Sequence, residues 1–172
     1  LTGSKEGCAE GDCGACTVVL ARPDVSGRMV WRPVNACILF MGMLEGASVT
    51  TIEGLSDGAG GLHPCQQAMV DFHASQCGFC TPGFVMSLFA AWCNGDGLEA
   101  AAIDDTLAGN LCRCTGYRPI VDAGLSLVGG DLPAFELARR QTEAGLMAEI
   151  AHDETVRLAD DGAARNVAFV AP

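Results

Sequence analysis

Cys8, Cys13, Cys16 and Cys37 follow a C-x4-C-x2-C pattern, with the fourth thiol twenty residues further on. That spacing is the ligand pattern of plant-type 2Fe-2S sites. Three thiolates must converge on one cluster from a short segment, and Gly7, Gly11 and Gly14 let the backbone curl close to them. Zinc sites usually pair two C-x2-4-C knuckles, which this run fits poorly. A second group, Cys77, Cys80, Cys112 and Cys114, is spaced C-x2-C-x31-C-x-C. Each half precedes a proline-initiated stretch, Pro82 and Pro119. The start of a helix offers free N–H groups and a partial positive charge, which favour an anionic thiolate cluster. A second 2Fe-2S site is the reading preferred here, with a redox C-x2-C motif or half of a zinc site as the alternatives.

Two of the ten cysteines remain, Cys65 and Cys93, both on apolar stretches and both read as buried small hydrophobes. His63, His73 and His152 lack the C-x-H pairing of a Rieske centre. No Walker loop, zinc-protease helix or G-x-G-x-x-G after a strand is present. The cysteine groups therefore stand as the chemistry of the chain, and nothing here makes or breaks substrate bonds by itself.

The elements that position these groups divide at "SDGAGG" (56–61). Before it, "TVVLA" (17–21), "VWRPVNACILFM" (30–41) and "ASVTTIEGL" (47–55) read as strands, with Pro33 confining the second to an edge. After it the period changes to helical. "HPCQQAMVDFHAS" (63–75) carries Cys65, Ala68, Met69 and Phe72 at helical spacing, and "TPGFVMSLFAAWC" (81–93) offers Thr81 as N-cap and Pro82 at N1. "IDDTLAGNL" (103–111) reads as a short helix capped by an Asp, and "RPIVDAGLSLV" (118–128) as a fourth. Helix, cysteine pair, helix thus occurs twice, an internal repeat that predicts a small four-helix bundle. From residue 131 the cysteines stop, the apolar spacing becomes uneven, and 131–172 reads as a linker or tail.

A formal charge of −11 disfavours nucleic acid as a partner, because phosphate binding needs clustered Lys and Arg. An acidic surface suits contact with basic faces of other subunits. No apolar run has the length of a membrane span, and "LTGSKEGC" has neither the basic start nor the apolar core of a secretory signal. A cytoplasmic location, where thiols stay reduced, is the expectation.

"EGCAEGDCGACTV", "NAC", "QCGFCTPGFVMS" and "GNLCRCTGYRPI" closely resemble the iron–sulfur part of the xanthine dehydrogenase branch of the molybdenum hydroxylases. The resemblance covers about residues 1–125 and includes all eight proposed ligands in order. It implies an α+β chain: a β-grasp, ferredoxin-like 2Fe-2S domain (1–56, incomplete at its N-terminal side), then an all-α four-helix 2Fe-2S domain (57–130). It also implies that a hairpin and helix precede the "TGSKEGC" position, so that the first sheet is left with an open edge. "RNVAFVAP" (165–172) resembles the lead-in to a flavin domain; the resemblance implies a fragment, an incompletely delimited gene or one piece of a larger polypeptide, with 131–172 as the linker.

The resemblance further implies roles. Electrons from a molybdopterin site on a large partner subunit would pass through the second cluster, then the first, to FAD on another domain of the hetero-oligomer. The residue matching Gln76 would hydrogen-bond the pterin, Cys114 would be the ligand nearest to it, and Ala9 to Asp12 would lie toward the flavin. The implied reaction is hydroxylation of a purine such as xanthine, with NAD⁺ as final acceptor. The competing reading is the small subunit of a related hydroxylase acting on carbon monoxide, an aldehyde or an N-heterocycle.

Overall fold

In the computed structural model, which describes residues 2–56, 59–150, 156–158 and 167–169, β1 (Thr17–Pro23) runs between two antiparallel neighbours. β2 (Met29–Asn35) pairs with it from Thr17↔Asn35 to Pro23↔Met29, and β3 (Ser48–Thr50) from Val19↔Thr50 to Ala21↔Ser48. Proline cannot donate to a ladder, and Pro33 accordingly lies on β2, an edge strand. The β1–β2 turn closes on Asp24, whose carboxylate accepts the N–H groups of Ser26 at 2.8 Å and Arg28 at 3.0 Å. Two predicted strands are shorter than expected. After Asn35 the chain turns through a 3₁₀ segment at Ala36–Ile38, and after Thr50 through another at Ile52–Leu55. The first of these brings Cys37 back beside Cys16.

Val19 and Ala21 on β1 are fully buried because α2 (Thr81–Asn94) packs on their face of the sheet. Every residue of α2 from Gly83 to Cys93 is buried. A helix apolar all round must be covered all round, and α2 is: β1 and β2 lie on one side, α1 (Pro64–Asp71) and α3 (Ile103–Leu107) on others. α4 (Arg118–Leu125) packs against both α1 and α3. Gly95, left-handed at φ 76°, ends α2, and Asn94 locks the helix to β2 through Trp31 N–H (3.0 Å) and Trp31 C=O (2.7 Å).

Several local expectations are corrected. The N-cap of α2 is Cys80, with Thr81 first in the helix, and the Thr81 hydroxyl pairs with Ser75 Oγ at 2.7 Å instead. α3 is capped by Ala102 and stops at Leu107, so Asn110 and Leu111 belong to the loop that follows. α4 ends at Leu125 rather than Val128, and Phe72 lies just past α1, 41% exposed. The boundary stretch includes Asp57 and Gly58, and the flavin lead-in most of 165–172; these lie outside the described residues.

The stretch read as linker contains α5 (Ala134–Ile150), which is docked rather than solvated. Glu136 is buried, and its carboxylate accepts from Arg139 Nη2 at 2.8 Å and Arg140 Nε at 3.0 Å. Arg139 stacks over Phe89 of α2, and Arg140 over Trp31 of β2 and Trp92 of α2. Further along the chain β4 (Val156–Leu158) pairs with β5 (Val167–Phe169). No helix among the described residues is long and apolar enough to cross a membrane.

His63 caps α1. Its Nδ1 accepts Cys65 N–H at 3.1 Å, while Gln66 Oε1 accepts its own N–H at 2.9 Å. Its ring stands edge-on to Phe89, Trp92 and Phe135. Burial pushes its pKa down to about 4, with Glu136 opposing and Arg139 and Arg140 assisting. The unfolded chain takes up this proton near pH 6.5, so stability is full above that value and falls as pH drops toward 4. The expected loss is up to about 3 kcal/mol across that window, read from denaturant midpoints at pH 7, 5.5 and 4.5. His63→Gln should flatten the slope.

Candidate metal centre

The first cysteine loop is shaped by left-handed turns at Ala9 (φ 56°), Gly11 (φ 81°) and Gly14 (φ 70°). They aim backbone N–H groups at sulfur: Cys8 Sγ accepts from Cys13 N–H at 3.3 Å and Asp12 N–H at 3.4 Å. Backbone N–H groups of Glu10, Cys13 and Asp12 hold the Cys8 thiol down at about 7, which favours the thiolate. The Cys13 thiol lies beside that of Cys8, and the Cys16 thiol beside that of Cys37, whose N–H also donates to Cys16 Sγ at 3.4 Å. Asn35 Nδ2 donates to Gly11 C=O and ties the loop to the end of β2.

The second group is gathered by two chain reversals. Gly78 (φ 82°) lies between Cys77 and Cys80, directly before α2. Gly116 (φ 69°) and Tyr117 (φ 68°) follow Cys112 and Cys114, directly before α4. Tyr117 turns its ring edge toward Phe84 of α2 and accepts Cys112 N–H on its hydroxyl at 2.9 Å. The thiols again meet in pairs across the two loops, Cys80 with Cys112 and Cys77 with Cys114.

Cys80 and Cys112 are half-buried, whereas Cys77 and Cys114 are exposed, as is Gln76 beside them. Burial pushes Cys80 up to about 12, with Cys112 adding to it. Burial pushes on Cys112 most strongly, but hydrogen bonding by Thr115, Cys114 and Cys80 together holds this thiol below its ordinary value.

All eight thiols singled out by spacing therefore stand in two groups, each built of two pairs. Among the described residues no three His, Cys, Asp or Glu side chains converge as ligands of one metal ion. Pairs of thiols fit a two-iron group, in which each iron takes two thiolates, better than one tetrahedral zinc. Cys65 and Cys93 lie apart from both groups. They are buried, with thiols pushed up by burial, to about 12 for Cys93. They behave as small core residues.

The two groups touch through backbone, which the spacing did not reveal. Leu111 N–H donates to Cys13 C=O at 3.0 Å, one residue before Cys112. The buried Asn110 donates from Nδ2 to Gly14 C=O at 3.0 Å and to Thr17 Oγ1 at 3.1 Å, and its Oδ1 accepts from Ser87 of α2 at 2.6 Å. A Cβ on Gly83 would lie 2.2 Å from Gly14 C=O, and one on Gly14 would lie 2.2 Å from Gly109 C=O.

Comparisons with known proteins agree with this geometry. Residues 51–125 match the 2Fe-2S binding domain family. Aldehyde oxidase 1 of Oryctolagus cuniculus is 50% identical over 124 residues, covering 72% of this chain and 9% of that protein. Xanthine dehydrogenase 1 of Arabidopsis thaliana is 50% identical over 125 residues, again 72% of this chain and 9% of its own length. The chain thus spans about a tenth of the length of these curated relatives. A crystal structure of quinoline 2-oxidoreductase from Pseudomonas putida 86 aligns with TM-score 0.62 and 35% identity, covering 83% of this chain and 78% of that one. The aldehyde oxidoreductase of Desulfovibrio gigas aligns with TM-score 0.62 and 35% identity, over 85% of this chain and 15% of that one. A match to the 2Fe-2S binding domain over the second cysteine group, relatives 50% identical over 72% of this chain and a shared fold lead to one assignment: this chain belongs to the molybdenum hydroxylase family and carries its iron–sulfur region.

Proposed function

We propose that the chain is the electron-transfer part of a xanthine dehydrogenase-like molybdenum hydroxylase, an oxidoreductase component without the substrate site. Cys8, Cys13, Cys16 and Cys37 would hold one 2Fe-2S cluster, and Cys77, Cys80, Cys112 and Cys114 the other. Each such group, when bound, takes up and returns one electron. The observation that carries the reading is the meeting of eight thiols in four pairs, within two loops that touch.

Within this reading α1 to α4 form the four-helix unit around the second group, and the sheet with the first loop forms the ferredoxin-like unit. A molybdopterin-binding large subunit would face Gln76, Cys77 and Cys114, and an FAD domain would face Ala9 to Asp12. The exposure of Gln76, Cys77 and Cys114 supports the first contact, and that of Ala9, Glu10 and Asp12 the second. A cytoplasmic setting, where thiols stay reduced, belongs to this reading. The second reading, the small subunit of a related hydroxylase for an aldehyde or N-heterocycle, is favoured by the 78% coverage of the quinoline 2-oxidoreductase chain.

Cys112→Ser tests the second site. One of two EPR-distinguishable reduced signals should disappear and the other remain; survival of both unchanged would remove Cys112 from the ligand set. Gln76→Ala should leave iron content intact and slow reduction of the chain by its molybdenum partner. Loss of iron from that variant would assign Gln76 a structural role instead.

A further inference from the structure

We propose that Asn110 is a positioning residue that fixes the first cysteine loop against the second, and so sets the coupling between the two sites. The inference rests on reading both cysteine groups as electron-carrying sites. Between Cys13 and Cys112 the connection is covalent except for one hydrogen bond, Leu111 N–H to Cys13 C=O at 3.0 Å. Coupling through a bonded path falls steeply when a contact opens, so the geometry of that bond matters more than most.

Asn110 holds it from the neighbouring position. Its side chain is buried, and a buried amide is tolerated only when its donors and acceptor are used. One N–H is spent on the first loop, at Gly14 C=O, and one on the start of β1, at Thr17 Oγ1, while the oxygen is held by Ser87 on α2. Gly14 C=O also receives Thr17 N–H at 3.1 Å and the Thr17 hydroxyl at 2.7 Å. Asn110 thus joins three elements: the first cysteine loop, the start of β1 and the central helix. An apolar side chain of the same size could fill this space but could not define register, whereas directional bonds can.

Sterics work alongside. Gly83 and Gly109 bring backbone against Gly14 so closely that no Cβ fits on Gly14 or Gly83. Sliding either loop along the other breaks the Asn110 bonds, and pressing them closer meets backbone. The contact has one register, and Asn110 is the side chain that selects it.

Asn110→Asp is the test, because it keeps the shape and the acceptor toward Ser87 but turns an oxygen toward Gly14 C=O. Ser87→Ala is the milder companion, leaving the amide in place without its orienting partner. Met69→Ala in α1, on neither cysteine loop, controls for a general loss of stability. Hydrogen exchange at the Leu111 amide is read in the full chain with and without iron, together with the spin–spin interaction between the two reduced EPR signals. In Asn110→Asp, exchange at Leu111 should quicken by about tenfold or more, the change expected for loss of one hydrogen-bonded contact. The spin–spin interaction should weaken while iron per chain stays at the wild-type value. Ser87→Ala should shift both readouts in the same direction by less, and Met69→Ala should leave Leu111 protected relative to its neighbours. Unchanged Leu111 exchange in Asn110→Asp would overturn the proposal, as would loss of protection equally at every amide. Absence of iron from the unsubstituted chain would instead overturn the functional reading, and the exchange result would still stand by itself.

Discussion

Replacing Glu136 with alanine is expected to lower stability by about 3–5 kcal/mol, the loss typical when one partner of a buried ion pair is removed. Its carboxylate holds two guanidiniums at once. Arg139 reaches it through Nε at 2.9 Å and Nη2 at 2.8 Å, and Arg140 through Nε at 3.0 Å. Neither arginine can swing freely into water, since each lies over an aromatic ring of the core. Alanine would leave Arg140 over Trp31 and Trp92 without its carboxylate, and Arg139 over Phe89 with only the longer contact to Glu143 at 3.9 Å. Glu136→Gln keeps an acceptor and should lose less. The consequence reaches beyond α5, because Arg139 also contacts Thr50 of β3 at 3.4 Å and Glu143 receives Ser48 Oγ at 3.3 Å. The sheet should therefore gain hydrogen exchange along β3 in the alanine variant. A denaturant midpoint within about 1 kcal/mol of wild type, the size of an exposed pair, would mean that α5 does not dock.

Gly14→Ala should be the most damaging single methyl among the described glycines. Two terms add. A left-handed residue with a Cβ costs about 1–2 kcal/mol, and φ at Gly14 is 70°. The new Cβ would also lie 2.2 Å from Gly109 C=O, 2.4 Å from Asn110 Nδ2 and 2.9 Å from Asn110 Cα, and overpacking of this kind costs about 1–3 kcal/mol. Backbone on the far side cannot yield as a flexible side chain would, so the two cysteine loops must part. Gly46→Ala separates the terms, because Gly46 has φ 63° and nothing within 4 Å of the new Cβ. That variant should lose only the backbone term, about 1–2 kcal/mol, and keep its iron. Equal losses in both variants would show that the loops are not in hard contact.

Cysteine spacing singles out the eight thiols that stand in the two groups, because spacing of this kind is a regular mark on sequence. The repeat of helix, cysteine pair and helix was legible for the same reason, since Pro82 and Pro119 mark helix starts. The edge position of β2 followed from Pro33, which cannot donate. What stayed hidden depends on partners far along the chain. "ELARR" lies in the stretch that reads as a linker or tail, and only the distant Trp31, Phe89 and Trp92 turn it into a buried ion cluster. Asn110 looked like the end of a short helix, because nothing local distinguishes an amide that reaches Gly14, 96 residues away, from one that faces water. Gly14 read as loop freedom, and its tight contact with Gly109 could not be seen before the two loops met. Thr81 is a sound cap by composition, but its hydroxyl pairs with Ser75 Oγ and Cys80 stands at the cap position.

Paired thiols in two touching loops are proposed to hold two iron–sulfur clusters. Iron, acid-labile sulfide and zinc measured together on the purified chain test this proposal most directly. Two 2Fe-2S clusters require about four irons and about four sulfides per chain, with no stoichiometric zinc. One or two zinc ions per chain with no sulfide would contradict it.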